Sequence, residues 1–447
     1  MGLGSVAALA LGACGGSQES AEETAVTTGG TDTVVGSLAI HITGLDYGPG
    51  VDKVILTLDN PVDAVSADTF VVEETKDTTD FADDTYPIIE VTAPRTVTDA
   101  YLVDAEGNKT ADPSTNVAIE MNIDPAEGSP FIFTMPYMYN MWCEPYDLTV
   151  SIAEGQTLTS GGTEVIAFDV DPTPTAKESN ADMWVEHEGT FSDIDYKYAT
   201  FTPETESKNL FVWLHGVGEG FSDPEYAGND TLVPLLGNRV TRLTEATFQQ
   251  ATGGMNVLVP MSPTKWMDNG SHEPDADWTP HASMYLESLA ELIDSYVQEI
   301  GAEHVIISGC SNGGYMTLNL ALEHGDRYDG FIPISEGIDT EKITDEEWGQ
   351  LAGYNMFFVY CEDDASTIDC NKTTIAALRE HGASDNLHES VSDFVYDTSG
   401  AFDAMAADGD PHYKYNGHWA WCYFFNGEAN DADGLNAFDW IKQVVEA

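Results

Sequence analysis

Positive charge is what this chain lacks most. Lys and Arg total 16 against 77 Asp and Glu, giving a formal net charge of −61 over 447 residues. A surface of that sign repels nucleic-acid phosphates and anionic lipid headgroups, which excludes nucleic-acid binding. It keeps a chain soluble and adds self-repulsion that salt or divalent cations screen. A salt-adapted protein and an acidic extracellular protein both fit this composition, and charge alone does not separate them. Long apolar runs are also missing. No stretch of 18 apolar residues occurs, so no membrane-spanning helix is expected. Despite the many carboxylates there is no EF-hand-type loop and no His/Cys ligand spacing. They read as a solvated acidic surface, and no specific metal site is expected.

Basic residues are absent from the start of the chain, where an export signal would carry them: none precedes Lys53. Val6-Ala7-Ala8-Leu9-Ala10-Leu11 is nevertheless apolar, and Leu11-Gly12-Ala13-Cys14 resembles a bacterial lipobox. That resemblance implies a signal segment over 1–14, with Cys14 lipidated, and an extracellular, cell-surface lipoprotein of a bacterium. Contact with membrane would then run only through the lipid anchor. Residues 15–36 are rich in Gly, Ser, Thr and Glu and read as a disordered tether.

Length suggests two or three domains, and 42% hydrophobic residues suffice for buried cores. Residues 37–171 carry short alternating runs, among them Leu38-Ala39-Ile40-His41-Ile42, Lys53 to Leu58, Thr69 to Val72, Asn116 to Met121 and Tyr146 to Val150. Gly48-Pro49-Gly50, Glu106-Gly107-Asn108 and Ser160-Gly161-Gly162 separate them. Strands at that spacing predict an all-β sandwich. Asp171-Pro172-Thr173-Pro174-Thr175 opens a linker over 172–182.

From 183 to 447 the pattern changes to apolar strands alternating with helical periodicity, the mark of a sheet covered by helices on both sides. Val305-Ile306-Ile307 runs into Gly309-Cys310-Ser311-Asn312-Gly313, and a helical segment follows from Tyr315 to His324. Strand, G-x-S-x-G turn and helix make a nucleophile elbow, in which small residues flank a serine raised clear of the sheet edge. Upstream, Leu210 to Leu214 leads into His215-Gly216-Val217-Gly218, a glycine loop suited to an oxyanion hole. The N–H groups of Val217 and Asn312 are the expected donors. Downstream, Met356 to Tyr360 ends in Cys361-Glu362-Asp363-Asp364, and Asn416-Gly417-His418-Trp419-Ala420-Trp421 comes late. Serine, acid after a strand and late histidine is the chain order of α/β-hydrolases. A serine needs a base, and the base needs an acid to fix its tautomer. The long segment from Met261 to His281 carries Trp266 and Trp278, which with Trp419 and Trp421 are candidate substrate-pocket walls.

On these motifs the region from Met183 onward resembles α/β-hydrolase esterases, in particular polyhydroxybutyrate-depolymerase-like and feruloyl-esterase-like enzymes. The whole chain is similar to bacterial esterases with an immunoglobulin-like domain before the hydrolase. The resemblance implies an α/β-hydrolase doubly wound sheet preceded by an all-β immunoglobulin-like sandwich. It implies hydrolysis of small-molecule or polymeric esters without metal or organic cofactor. Ser311 takes the nucleophile's place and His418 the base's, while His412 lacks the preceding glycine and following aromatics. The family acid follows a strand in Gly-x-x-Asp. Cys361 stands where that glycine would be, which points to Asp364, with Asp363 and Asp369 as alternatives. Feruloyl-esterase and tannase-like enzymes join the residue before the serine to the one after the histidine by a disulfide; here the second cysteine is displaced by three positions, and the resemblance implies Cys310–Cys422. Cys361 and Cys370 bracket the acid loop and form a second expected pair, leaving Cys143 unpaired. A prolyl-oligopeptidase-like serine peptidase and a non-catalytic surface-binding lipoprotein are the competing classes. The first normally carries a propeller, for which the N-terminal region is too short.

Overall fold

The computed structural model describes residues 32–135, 138–220, 222–223, 228–272 and 278–447. The lipobox, Cys14 and all but the end of the proposed tether lie outside the described residues.

The N-terminal unit is a two-sheet sandwich. In the larger sheet the strands run in the order Ala167–Val170, Thr33–Leu45, Gly48–Val62, Ser114–Met121, Val97–Val103 and Lys109–Thr110. The smaller sheet is Tyr146–Ile152, Phe70–Thr79 and Ile88–Arg95. Side chains alternate across each strand. Leu38, Ile40 and Ile42 therefore face inward, to meet Val72, Leu148 and Val150 from the other sheet. Two boundaries differ from the sequence expectation. The tether expected to reach residue 36 ends earlier, because Thr33 to Gly36 pair in register with Ala167 to Val170. The linker expected over 172–182 contains a strand, Lys177–Ser179, which pairs with Ile40 to Ile42.

The C-terminal unit is built on one sheet. Its strands are β1 (Val185–Phe191), β2 (Ile194–Phe201), β3 (Asn209–Leu214), β4 (Asn256–Met261), β5 (His304–Cys310), β6 (Gly330–Ile334), β7 (Met356–Cys361) and β8 (Leu387–Ser392). Their spatial order is β1-β2-β4-β3-β5-β6-β7-β8. The pairings β1–β2 and β2–β4 are antiparallel and the rest parallel, so β2 alone runs against the others. Each central strand is apolar on both faces, as a sheet covered twice requires. Leu210, Val212 and Leu214 enter one core with the helices α1 (Leu286–Ile300), α2 (Asn312–His324) and α3 (Ile368–Glu380). Phe211 and Trp213 enter the other, against α4 (Ala437–Val445), where Phe424 stacks on both rings.

The two units share an apolar core that runs from the sandwich interior through Trp184, Leu235 and Leu236 to the α4 face. A buried polar knot reinforces the seam: Asp46 accepts from Arg239 Nη1 at 3.1 Å and from Asn426 Nδ2 at 3.0 Å. Among the described residues no helix is long and apolar enough to cross a membrane.

Candidate active site

Parallel strands deliver their carboxyl ends to one edge of the sheet. Cys310 is in register with Ile334, Ile334 with Val359, and Leu214 with Gly309. The residues following β3, β5 and β7 therefore gather at one rim.

Ser311 sits in the turn between β5 and α2 with φ 52° and ψ −113°, a conformation that L-residues rarely hold. Its N–H is tied to the carbonyl of Ile334 at 2.8 Å. The flanking glycines are required by close approach. A methyl group on Gly313 would lie 1.9 Å from the Leu214 carbonyl oxygen, and one on Gly309 would lie 2.6 Å from the same atom. The turn thus presses against the end of β3, next to the His-Gly loop. Asn312 opens α2, so its N–H belongs to the uncommitted donors of a helix start. Its side chain is engaged elsewhere: Oδ1 accepts from the Trp266 N–H at 2.7 Å.

The loop after β3 begins with a 3-10 turn, Val217–Glu219, and Val217 is its first residue. His215 is completely buried behind it. Its Nε2 accepts the Ser262 N–H at 2.9 Å, so Nδ1 carries the hydrogen and donates to the Gly216 carbonyl at 2.6 Å. Burial lowers its pKa to about 4. This neutral ring shapes the loop and has no path to proton transfer.

The acid and the histidine meet on the other side. His418 Nδ1 lies 2.8 Å from Asp364 Oδ2. The loops come so close that a methyl group on Gly417 would lie 2.5 Å from the Asp363 carbonyl carbon. Asn416 Oδ1 caps the short turn by accepting from the His418 N–H at 2.9 Å. Asp364 is buried, which by itself would raise its pKa. Hydrogen bonding and charge from His418, with bonds from Ser366 and Thr367, outweigh burial and hold the carboxyl well below the usual range. Thr367 Oγ1 reaches Oδ2 at 2.5 Å, and the Ser366 hydroxyl and N–H both bond Oδ1. Ser366, Thr367 and Asn416 had no sequence signal beyond proximity to the motifs. The alternatives lie elsewhere: Asp363 pairs with Lys414 at 3.1 Å, Asp369 is in the first turn of α3, and His412 pairs with Asp403 at 2.9 Å. Among the described residues no hydrogen bond joins Ser311 to His418, and such contacts are often loose until substrate is bound.

The tryptophans divide. Trp266 is fully buried against His215 and Tyr285, so it anchors the loop and is no pocket wall. Trp421 is buried edge-on to His418, with ring centroids 5.5 Å apart. Trp278 and Trp419 are half-buried, against Tyr315 and Tyr415 respectively.

Neither expected disulfide is present: Cys143, Cys310, Cys361, Cys370 and Cys422 are free thiols. Cys361 points into the core shared with Cys310 and Cys422, while α3, which carries Cys370, packs on the opposite face of the sheet. Cys310 and Cys422 share a core, but the Cys422 thiol donates to the Asp46 carbonyl at 3.6 Å. Burial raises both thiols well above their usual pKa. Among the described residues no group of three or more His, Cys, Asp or Glu is arranged to hold a metal.

Comparison with known proteins adds to this geometry. Residues 41–191 match the family model of the esterase Ig-like N-terminal domain. A solved thermostable esterase has a similar fold, with TM-score 0.65 at 18% identity, covering 91% of this chain and 99% of that one. A ferulic acid esterase (TM-score 0.36, 15% identity, 47% of this chain and 90% of that one) is also similar. So is a carboxylesterase from Mesorhizobium loti (TM-score 0.33, 15% identity, 47% and 93%). No curated protein matches the sequence. The chain thus joins an esterase-type Ig-like domain to an α/β-hydrolase fold.

Proposed function

We propose that the chain is a serine carboxylic-ester hydrolase working through an acyl-enzyme on Ser311. The observation that carries this is the strained Ser311 elbow on the same sheet edge as the 2.8 Å His418–Asp364 pair. The esterase-type Ig-like domain supports the choice of substrate class.

Asp364 holds the proton on His418 Nδ1, which leaves Nε2 as the basic nitrogen. That nitrogen takes the Ser311 proton as the hydroxyl attacks the ester carbonyl. Negative charge then grows on the carbonyl oxygen, where the N–H groups of Val217 and Asn312 receive it. The imidazolium returns its proton to the leaving alcohol. Water repeats the sequence on the acyl-enzyme and releases the acid. Trp278 and Trp419, both partly accessible, offer aromatic surface to an acyl or alcohol group.

Hydrolysis of an acyl-length series of p-nitrophenyl esters tests this reading, with Ser311→Ala as the partner protein. The variant is expected to lose kcat by about 10⁴-fold or more with its melting temperature kept. Near-normal turnover by the variant would overturn the mechanism.

We further infer from the lipobox-like segment that the protein is displayed at a bacterial surface by lipidation of Cys14. Mass spectrometry of the N-terminal peptide from the native host tests this. A diacylglyceryl cysteine is expected, and an unmodified Cys14 would refute it.

A further inference from the structure

The loop that carries Val217 has little means of holding its own shape. Gly216, Gly218 and Gly220 alternate through it, and glycine restricts the backbone least. Besides His215 and Asn229, it is supported by two side chains that the proposed chemistry does not use.

Glu219 closes the 3-10 turn and is buried. Its carboxyl folds back under the loop: a methyl group on Gly216 would lie 3.0 Å from Glu219 Oε2 and 3.6 Å from Cys310 Sγ. The carboxyl is therefore lodged between the oxyanion loop and the residue preceding the nucleophile. Oε1 accepts from Asn140 Nδ2 at 3.2 Å.

Asn140 belongs to the other domain. It lies on a hairpin, Phe131–Thr134 paired with Tyr139–Trp142, that projects from the sandwich. Its carbonyl accepts from Asn229 Nδ2 at 2.8 Å, and the same amide donates to the Gly220 carbonyl at 3.1 Å. Its own side chain passes so close to the loop that a methyl group on Gly218 would meet Nδ2 at 3.0 Å. Trp142 Nε1 fastens the hairpin to Asp230 Oδ1 at 3.1 Å. The C-terminal end of the glycine turn, at Glu219 and Gly220, is thus tied to one strand of the Ig-like domain.

We propose that Asn140 and Glu219 are positioning residues for the oxyanion loop, so that a side chain of the Ig-like domain sets where the Val217 N–H points. The proposal rests on the esterase reading above. It follows from how steeply an oxyanion donor depends on placement: losing one costs about 10²- to 10³-fold in kcat, and displacements near 1 Å can cost about 10²-fold. A loop of alternating glycines without its brace samples such displacements.

The test compares wild type, Asn140→Ala, Glu219→Gln and Glu219→Ala in the full chain. Asn140→Ala is expected to lower kcat by ~10-fold or more with KM within ~2-fold, because the oxyanion exists only after attack. A trifluoromethyl ketone, which forms a tetrahedral adduct with serine, should bind more weakly by a similar factor. Glu219→Gln, which keeps an acceptor in place, should retain more activity than Glu219→Ala. Amide hydrogen exchange over residues 210–220 should quicken in Asn140→Ala while exchange in α1 stays as in wild type. Unchanged kcat and unchanged loop exchange in Asn140→Ala would overturn the proposal. So would faster exchange spread evenly over the fold, which marks general destabilisation. If wild type shows no Ser311-dependent hydrolysis, the esterase reading fails by itself. Loop exchange in Asn140→Ala then still decides whether the hairpin holds the loop.

Discussion

Serine hydroxyls are common and weakly nucleophilic, so what separates Ser311 from its neighbours is its backbone and its surroundings. Holding a non-glycine residue at φ 52° costs about 1–3 kcal/mol, and packing around Gly309 and Gly313 maintains it. The acid is distinguished in the same way. Asp363 and Asp364 are adjacent, but only the second is buried with a histidine and two hydroxyls on its oxygens. Asp364→Asn is therefore expected to lower kcat by ~10³- to 10⁴-fold, and Asp363→Asn to stay near wild type, in parallel ester-hydrolysis assays. The reverse order would move the acid to Asp363. Two other carboxyls matter for pH. Burial raises Glu219 and Glu336 from 4.5 to about 7. The folded state thus binds more protons than the unfolded chain between those values, and stability falls as pH rises through that window. Asp364 acts oppositely: its depressed pKa gives stability that is present above the ordinary carboxylate value and lost as pH falls below it. The melting temperature should decline from pH 6 to pH 8, and Glu336→Gln should flatten that decline. A rise over the same range would contradict this assignment.

At the scale of elements, the catalytic rim depends on how β3, β5 and α2 touch. Gly313→Ala places a methyl group 1.9 Å from the Leu214 carbonyl oxygen. Overpacking of this kind costs about 1–3 kcal/mol or more, so calorimetry should show a melting point lowered by several degrees, with activity falling alongside. Wild-type stability in that variant would mean the turn and β3 are not in contact. The central strands were legible because burial on both faces makes each a short unbroken apolar run, as in Phe357-Phe358-Val359. The edge strands were not. β8 reads Leu387-His388-Glu389-Ser390-Val391-Ser392 and β1 reads Val185-Glu186-His187-Glu188, sequences in which polar residues break the apolar run. The short strand Lys177–Ser179 hid in a stretch that reads as linker because its pairing partner lies far away in sequence. Sequence is equally silent on the side of the sheet to which a cysteine points, which is why the pair Cys361–Cys370 that it suggests is absent. Trp266 reads as a pocket wall in sequence because loop composition carries no depth, and it is in fact fully buried. The motifs themselves stood out because the chemistry fixes their order along the chain.

Over the whole molecule, two features act together: a continuous core across the domain seam and an extreme surface charge. The shared core and the Asp46–Arg239–Asn426 knot predict that both domains unfold in one transition. The −61 charge predicts that this transition rises in temperature as sodium chloride goes from about 0.05 M to 1 M, since screening shortens the range of repulsion from roughly 14 Å to 3 Å. A flat melting temperature would refute that. A gain complete by about 0.2 M would indicate simple screening, and one continuing to 1 M would indicate salt adaptation. The central claim, covalent catalysis at Ser311, is tested most directly by trapping. Intact-mass and peptide mass spectrometry after treatment with a fluorophosphonate should show one adduct, on the peptide containing Ser311, with parallel loss of ester hydrolysis. No adduct, or an adduct on another residue with activity lost, would contradict the account.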